Sequence, residues 1–348
     1  MNQNNQSKTN PLVSILIPVY NRINLVEEAV TSALNQDYSN LEVVIGDNCS
    51  TDGTFEYLQE KYGERSNIIV FRNKENLGPV GNWEECLKRC SGKYVKILWS
   101  DDLIDPSFVS KSLKLLETDP EISFVYSSVL CFHHPDELKD RKAGSKEIIR
   151  YRLGKTGIRR GNVFISKAYK QSYCIPVSPG CAIFRRNNLH IAESIPNAIG
   201  YNHRKTGAGT DLFIFFQALE NGERFAYIDE PLNFFREHEG SITCSDNRII
   251  DGYWSAKISF AAAHPKIRKL TTYLNSDMVS VQQKKNVFHP KAIHEFLNYY
   301  YGDSPYRYSL FNVLRWGVIR EFYMLGDYLK QGDKHELFGT WRKRFLGK

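Results

Sequence analysis

Lys93-Tyr94-Val95-Lys96-Ile97-Leu98-Trp99-Ser100-Asp101-Asp102 is a short, apolar-leaning strand that ends in two adjacent carboxylates. Leu103-Ile104-Asp105-Pro106 then turns the chain away. Open α/β sheets bind their ligands at the carboxyl ends of strands. Side-by-side carboxylates repel each other and are tolerated best beside a cation. Hard oxygen donors suit magnesium or manganese, ions that commonly accompany substrate phosphates. The stretch admits two readings: a metal–diphosphate site, or a turn of solvated acids before a helix capped by Asp105.

Outward from this strand, residues 11–132 alternate strand and helix. Val13–Val19 is an apolar run, followed by a helix with Asn24 as N-cap, Glu27 in the capping box, and Val26, Ala29, Val30, Ala33 and Leu34 on one face. Strands follow at 41–45, 68–71 and 124–132, with a turn and helix over 50–62 and helices from Val80 to Cys90 and over 106–117. Repeated βα units predict a mostly parallel sheet flanked by helices. Order weakens over 133–171, where Lys139, Arg141, Lys142, Lys146, Arg150, Arg152, Lys155, Arg159 and Arg160 cluster. That segment is either a solvated insertion or a loop that meets an anionic substrate. A helix is expected over 210–221, and short strands over 225–228 and 232–235. Residues 243–348 read as a helical, aromatic and basic extension, and 1–10 as a disordered start.

The composition, 42% hydrophobic and 24% charged, is that of a globular protein. A net charge of +7 favours anionic partners without choosing among nucleotides, nucleic acid and acidic membranes. Seven cysteines with no CxxC pair fit a reduced compartment better than a disulfide framework or a structural zinc site. The polar start lacks the apolar core of a signal peptide, and no window reaches the length of a membrane span. A cytoplasmic location is expected.

Three strand ends carry the chemistry: Pro18-Val19-Tyr20-Asn21-Arg22, Gly46-Asp47-Asn48-Cys49-Ser50-Thr51-Asp52-Gly53-Thr54 and Ser100-Asp101-Asp102. In a parallel sheet they share one edge, so Asp47 and Asp101 converge. A carboxylate at the end of the second strand can accept from a ribose hydroxyl or a base N–H. No G-x-G-x-x-G follows the first strand and no G-x-x-x-x-G-K-[ST] occurs, which argues against dinucleotide and P-loop folds.

These motifs resemble the inverting family 2 glycosyltransferases of GT-A fold, in which Pro-x-Tyr-Asn precedes Asp-Asp-Gly-Ser-Thr-Asp-Gly-Thr. Asn76-Leu77-Gly78 and Asn82-Trp83 match the pattern after the third strand. The family's Asp-x-Asp metal motif falls on Trp99-Ser100-Asp101, so its first acid is missing. Gly209-Thr210-Asp211-Leu212 resembles the motif whose Asp is the general base, and Arg236-Glu237-His238-Glu239-Gly240-Ser241 the signature that closes many such domains. The likeness covers 11–242, with 11–132 as nucleotide half and 133–242 as acceptor half.

The resemblance implies a metal-dependent transfer of sugar from a UDP- or dTDP-sugar to a hydroxyl of a glycan or lipid-linked acceptor, in surface polysaccharide assembly. It places the nucleotide against Pro18, Val19, Tyr20, Arg22, Asp47, Asn82 and Ser100. Manganese or magnesium falls to Asp101 and His238, and the base is Asp211. Other readings stay open: Asp211 as a helix cap, His238 as a surface histidine, Arg22 as a turn residue, Tyr20 as core, Asp102 as a cap. Nucleic acid is not an expected partner. The basic tail Trp341-Arg342-Lys343-Arg344-Phe345-Leu346-Gly347-Lys348 suits a peripheral contact with the inner face of the cell membrane. Trp99 also motivates an alternative, a nucleotide-sugar-binding or scaffolding protein that has lost catalysis. A nucleotidyltransferase ranks last, because its Gly-rich, Lys-bearing loop is absent.

Overall fold

The computed structural model describes residues 10–138, 148–170, 173–192, 194–238, 240, 248–283, 290–301 and 315. Strand β1 (Val13–Val19) is buried along its whole length, as its unbroken apolar run requires of a central parallel strand. Helix α1 (Val26–Leu34) turns Val26, Ala29, Val30 and Ala33 inward. It begins after Leu25 with no side-chain cap, not at Asn24 as expected; the Arg22 carbonyl accepts from the Val26 N–H, and Glu27 and Glu28 face the positive helix end. There follow β2 (Leu41–Asp47), α2 (Thr54–Tyr62), β3 (Ile68–Arg72), α3 (Gly78–Arg89), β4 (Tyr94–Ile97), β5 (Leu103–Ile104), α4 (Phe108–Leu116) and β6 (Ile122–Phe132). The next elements are β7 (Ile149–Arg150), β8 (Gly157–Arg160), α5 (Gly161–Tyr169), β9 (Ala182–Arg185), α6 (His203–Thr206), α7 (Thr210–Ala218) and β10 (Arg224–Arg236). The chain continues through α8 (Ile249–Ala263), α9 (Thr271–Gln283) and α10 (Pro290–Tyr301).

The sheet runs β3-β2-β1-β4-β9-β6-β10-β5, with β7 on β6 and β8 on β10. From β3 to β4 it is parallel, while β9 enters antiparallel between β4 and β6. The two short strands expected over 225–228 and 232–235 are one strand, β10, irregular between Ile228 and Pro231 where proline removes a ladder donor. The sheet divides the core. Ile15 and Ile17 face α1, α2 and α4, whereas Leu16 faces α3, α5, α7 and α8, following the two-residue period of a strand.

On the second face Phe124 packs Phe164, Phe184, Phe215 and Phe225 with ring centroids 5.0–5.7 Å apart. Helix α8 joins that layer: Phe260 stacks on Phe216 at 4.6 Å and Trp254 is buried. Described residues of α8 beyond position 242 therefore share the core of the sheet domain. Among the described residues no helix is long and apolar enough to cross a membrane.

Candidate active site

Strand order places β1 between β2 and β4, so the order reverses at β1, the point where such sheets open a crevice at the carboxyl ends of their strands. Register brings Val19 beside Asp47. Asp47 is fully buried; its Oδ2 accepts from the Ser50 N–H at 2.9 Å and lies 3.6 Å from Arg72 Nε. Its Oδ1 is buried without a hydrogen-bond partner among the described residues. A buried carboxylate oxygen with no donor is costly, so this atom is suited to a ligand N–H or hydroxyl.

The turn behind it is built from side-chain amides. Asn48 Nδ2 donates to Asn76 Oδ1 at 2.9 Å, and Asn73 Nδ2 donates to Asn48 Oδ1 and Asn82 Oδ1. Asn82 Nδ2 in turn donates to the Gly46 carbonyl at 2.7 Å. Asn82, expected at the nucleotide, is buried and bonded to the protein on both amide atoms. Pro18, Val19 and Ser100 are buried too, and the Val19 carbonyl accepts from the Asn48 N–H. Tyr20, 43% exposed, is the first residue of that edge whose side chain is open.

At the end of β4 the acids separate in role. Asp102 is buried, and its Oδ1 accepts from the Arg236 N–H at 2.9 Å. Burial, reinforced by Asp101, pushes its carboxyl well above the usual range. Asp101 stays partly open. Its Oδ2 lies 2.9 Å from His238 Nε2 and 3.8 Å from Arg22 Nε. Arg22 Nη2 donates to the Gly240 carbonyl at 2.9 Å, tying the β1 edge to the segment after β10. Arg236 Nε donates to the Asp101 carbonyl, while its Nη2 pairs with Glu28. Beneath them Lys96 is buried and donates to the Gly180 carbonyl and to Asn233 Oδ1; burial lowers its ammonium to about 7.

Trp99 fills the place of the missing acid. Its Nε1 donates to Ser178 Oγ at 2.8 Å and its ring lies 5.0 Å from that of Trp83. Trp83 packs in turn against Gly207, in the loop that leads to Asp211. Gly207 has φ +78°, and a Cβ there would sit 2.5 Å from Trp83 Cη2. Both facts demand glycine.

Asp211 stands in the first turn of α7. Its Oδ1 accepts from the Gly209 and Leu212 N–H groups at 2.9 and 2.7 Å, and its Oδ2 accepts from the Tyr253 hydroxyl at 2.7 Å. Asp211 keeps some open surface, yet enough protein surrounds it that burial raises its carboxyl to about 7, against the lowering effect of these hydrogen bonds. A carboxylate poised near neutrality can take a proton from a hydroxyl.

The profile of the family described as glycosyl transferase family 2 matches residues 14–190. The chain belongs to this family. The putative teichuronic acid biosynthesis glycosyltransferase TuaG of Bacillus subtilis is 37% identical over 123 residues, 34% of this chain and 48% of that protein. The chondroitin synthase of Escherichia coli is 36% identical over 119 residues, 34% of this chain and 17% of that protein. An uncharacterized glycosyltransferase of Haemophilus influenzae is 34% identical over 113 residues, 32% of this chain and 35% of that protein. The aligned stretch thus spans less than half the length of each relative.

The fold is that of S. aureus TarS 1–349 in complex with UDP, with a TM-score of 0.57 at 15% identity over 97% of this chain and 92% of that one. It is also that of the mannosyltransferase PcManGT from Pyrobaculum calidifontis in complex with GDP-Man and Mn2+, with a TM-score of 0.50 at 18% identity over 94% and 89%.

Within this family 2 chain, Asp101 and His238 offer a cation one carboxylate and one imidazole. Among the described residues no group of three or more His, Cys, Asp or Glu could hold a metal ion. A carboxylate oxygen beside an imidazole nitrogen is a donor chemistry that suits magnesium or manganese when phosphate and water supply the other ligands. Tyr253 was not legible in the sequence, because an aromatic in an apolar helix carries no spacing signal. The Arg204–Glu84 pair, bonded at 2.9 and 3.0 Å, was equally silent. The basic segment 139–147 and the tail expected at a membrane lie outside the described residues.

Proposed function

We propose that the chain is an inverting glycosyltransferase that moves a sugar from a UDP- or dTDP-sugar to a hydroxyl of a glycan or lipid-linked acceptor. The observation that carries the reading is Asp211: a carboxylate raised to about 7 and oriented by three hydrogen bonds. Asp47 Oδ1 would accept from the nucleobase, with Tyr20 against its face and Arg22 toward the diphosphate. Asp101 and His238 would hold Mn2+ or Mg2+, whose positive charge favours departure of the nucleoside diphosphate. Asp211 would take the acceptor proton as that oxygen attacks the anomeric carbon opposite the leaving group. A single displacement inverts the centre and needs no protein nucleophile. The names of the relatives support surface polysaccharide assembly as the setting.

Purified protein with Mn2+ and a panel of nucleotide sugars tests this directly. Release of nucleoside diphosphate that depends on an acceptor is expected, with Asp211→Asn abolishing transfer while nucleotide still binds. Full activity of that variant would remove Asp211 from the mechanism. Trp99 in the place of an acid favours a second reading, a nucleotide-sugar-binding protein without turnover. Metal-independent nucleotide affinity by calorimetry, with no transfer from any donor, would select it.

A further inference from the structure

Helix α8 lies beyond the segment that resembles the family, yet it reaches the base. Gly209, at φ +87°, packs so closely on the Gly252 carbonyl that a Cβ would overlap it. The next residue, Tyr253, donates its hydroxyl to Asp211 Oδ2 at 2.7 Å. The other oxygen, Oδ1, is already held by two backbone N–H groups. Oδ2 is therefore the atom left to receive a proton, and Tyr253 is its protein partner. Tyr253 is itself fixed at its ring end: it packs on the second core face, between buried Gly252 and Trp254.

We propose that Tyr253 is a positioning residue for the base, aiming the free lone pair of Asp211 Oδ2 and setting the pH at which that oxygen is ready to accept a proton. A hydrogen bond donated to a carboxylate stabilises its charged form. Burial is the largest influence on Asp211 and strengthens its hold on a proton, and the Tyr253 hydroxyl is the largest influence in the opposite direction. The remaining titratable groups around the carboxylate are Tyr151 after β7, Tyr201 before α6, and His203 of α6 beneath Gly209. Tyr151 and His203 are held neutral near pH 7. Burial lifts the Tyr151 hydroxyl, and His203, lowered by burial, has Nδ1 2.8 Å from the Ala208 carbonyl. The nearby charges, Arg248 and Asp251, pair at 2.9 Å, and the Tyr300 hydroxyl also donates to Asp251. Among these groups the Tyr253 hydroxyl alone touches Oδ2.

This inference rests on Asp211 being the base, and the test separates the two. The pH profile of kcat/KM for sugar transfer is measured on the full chain, on Asp211→Asn and on Tyr253→Phe. Loss of one donor to a carboxylate should move the acid limb of Tyr253→Phe up by about one unit, lowering activity roughly tenfold at pH 6 and less than twofold at pH 9. Fluorotyrosine placed at position 253 keeps every packing contact and donates more strongly; it should move the limb the other way. An unmoved limb in both proteins, or an equal loss at every pH, overturns the role of Tyr253. An active Asp211→Asn enzyme overturns the base assignment instead.

Discussion

His238 Nε2 lies 2.9 Å from Asp101 Oδ2, although the two residues are 137 positions apart in the chain. The pair unites the end of β4 with the segment after β10, and in the proposed site it would give a cation two protein donors among the described residues. Metal binding and diphosphate binding should then depend on each other. Calorimetry with Mn2+ should show affinity at least about tenfold higher in the presence of UDP than in its absence, a coupling of about 1.4 kcal/mol. Asp101→Asn should remove that coupling. Tight binding of Mn2+ to the nucleotide-free protein would contradict the two-donor site.

Asp211 is held near 7 by burial, and the sign of its pH dependence follows. A base must start without its proton, so transfer should be slow below pH 7 and rise through it. Asp211→Asn should cost roughly 10²–10⁴-fold in kcat, the usual worth of general-base catalysis. Stability runs the other way. The folded protein binds this proton more tightly than the unfolded chain, so the contribution of Asp211 is fully present below its unfolded value and lost as pH rises through about 7. Differential scanning calorimetry should find Asp211→Asn melting above the parent at pH 8, with the gap closing toward pH 5.

Asp47 Oδ1 is buried and unpartnered among the described residues, while Oδ2 holds the Ser50 N–H. A base N–H bonded to such a carboxylate is worth about 1.5–3 kcal/mol. Asp47→Ala should weaken nucleoside diphosphate binding by roughly tenfold or more. Unchanged affinity in a folded variant would show that the nucleobase lies elsewhere.

Gly207 joins the donor side to the base loop through Trp83. Alanine there meets both a left-handed backbone at φ +78° and a contact of 2.5 Å with Trp83 Cη2. A destabilisation of about 2 kcal/mol is expected. The displaced loop should lower kcat more than it changes nucleotide affinity. A melting point equal to the parent would mean that the loop has room this packing denies it.

Much of the fold and its edge was legible from local pattern. Apolar runs bounded by turn residues specify strands and helices through side-chain periodicity, and three strands ending in Asn21, Asp47 and Asp101 had to share one edge once parallel. Residues whose work depends on distant neighbours were not legible. Asn82 looked available to a ligand until the fold committed both its amide atoms to Asn73 and Gly46. In sequence Asp102 reads as a support for Asp101 or as a cap, and only the fold names its partner, the Arg236 N–H. The antiparallel entry of β9 and the single long β10 depend on long-range pairing, which leaves no trace in a window of a few residues. Tyr253 is the clearest case. The apolar, aromatic composition beyond residue 242 places it in a helix, but the hydrogen bond to Asp211 Oδ2, 42 positions earlier in the chain, exists because α8 packs across the glycine loop before α7. Local chemistry wrote the strand ends into the sequence; packing across that distance assigned the base its partner.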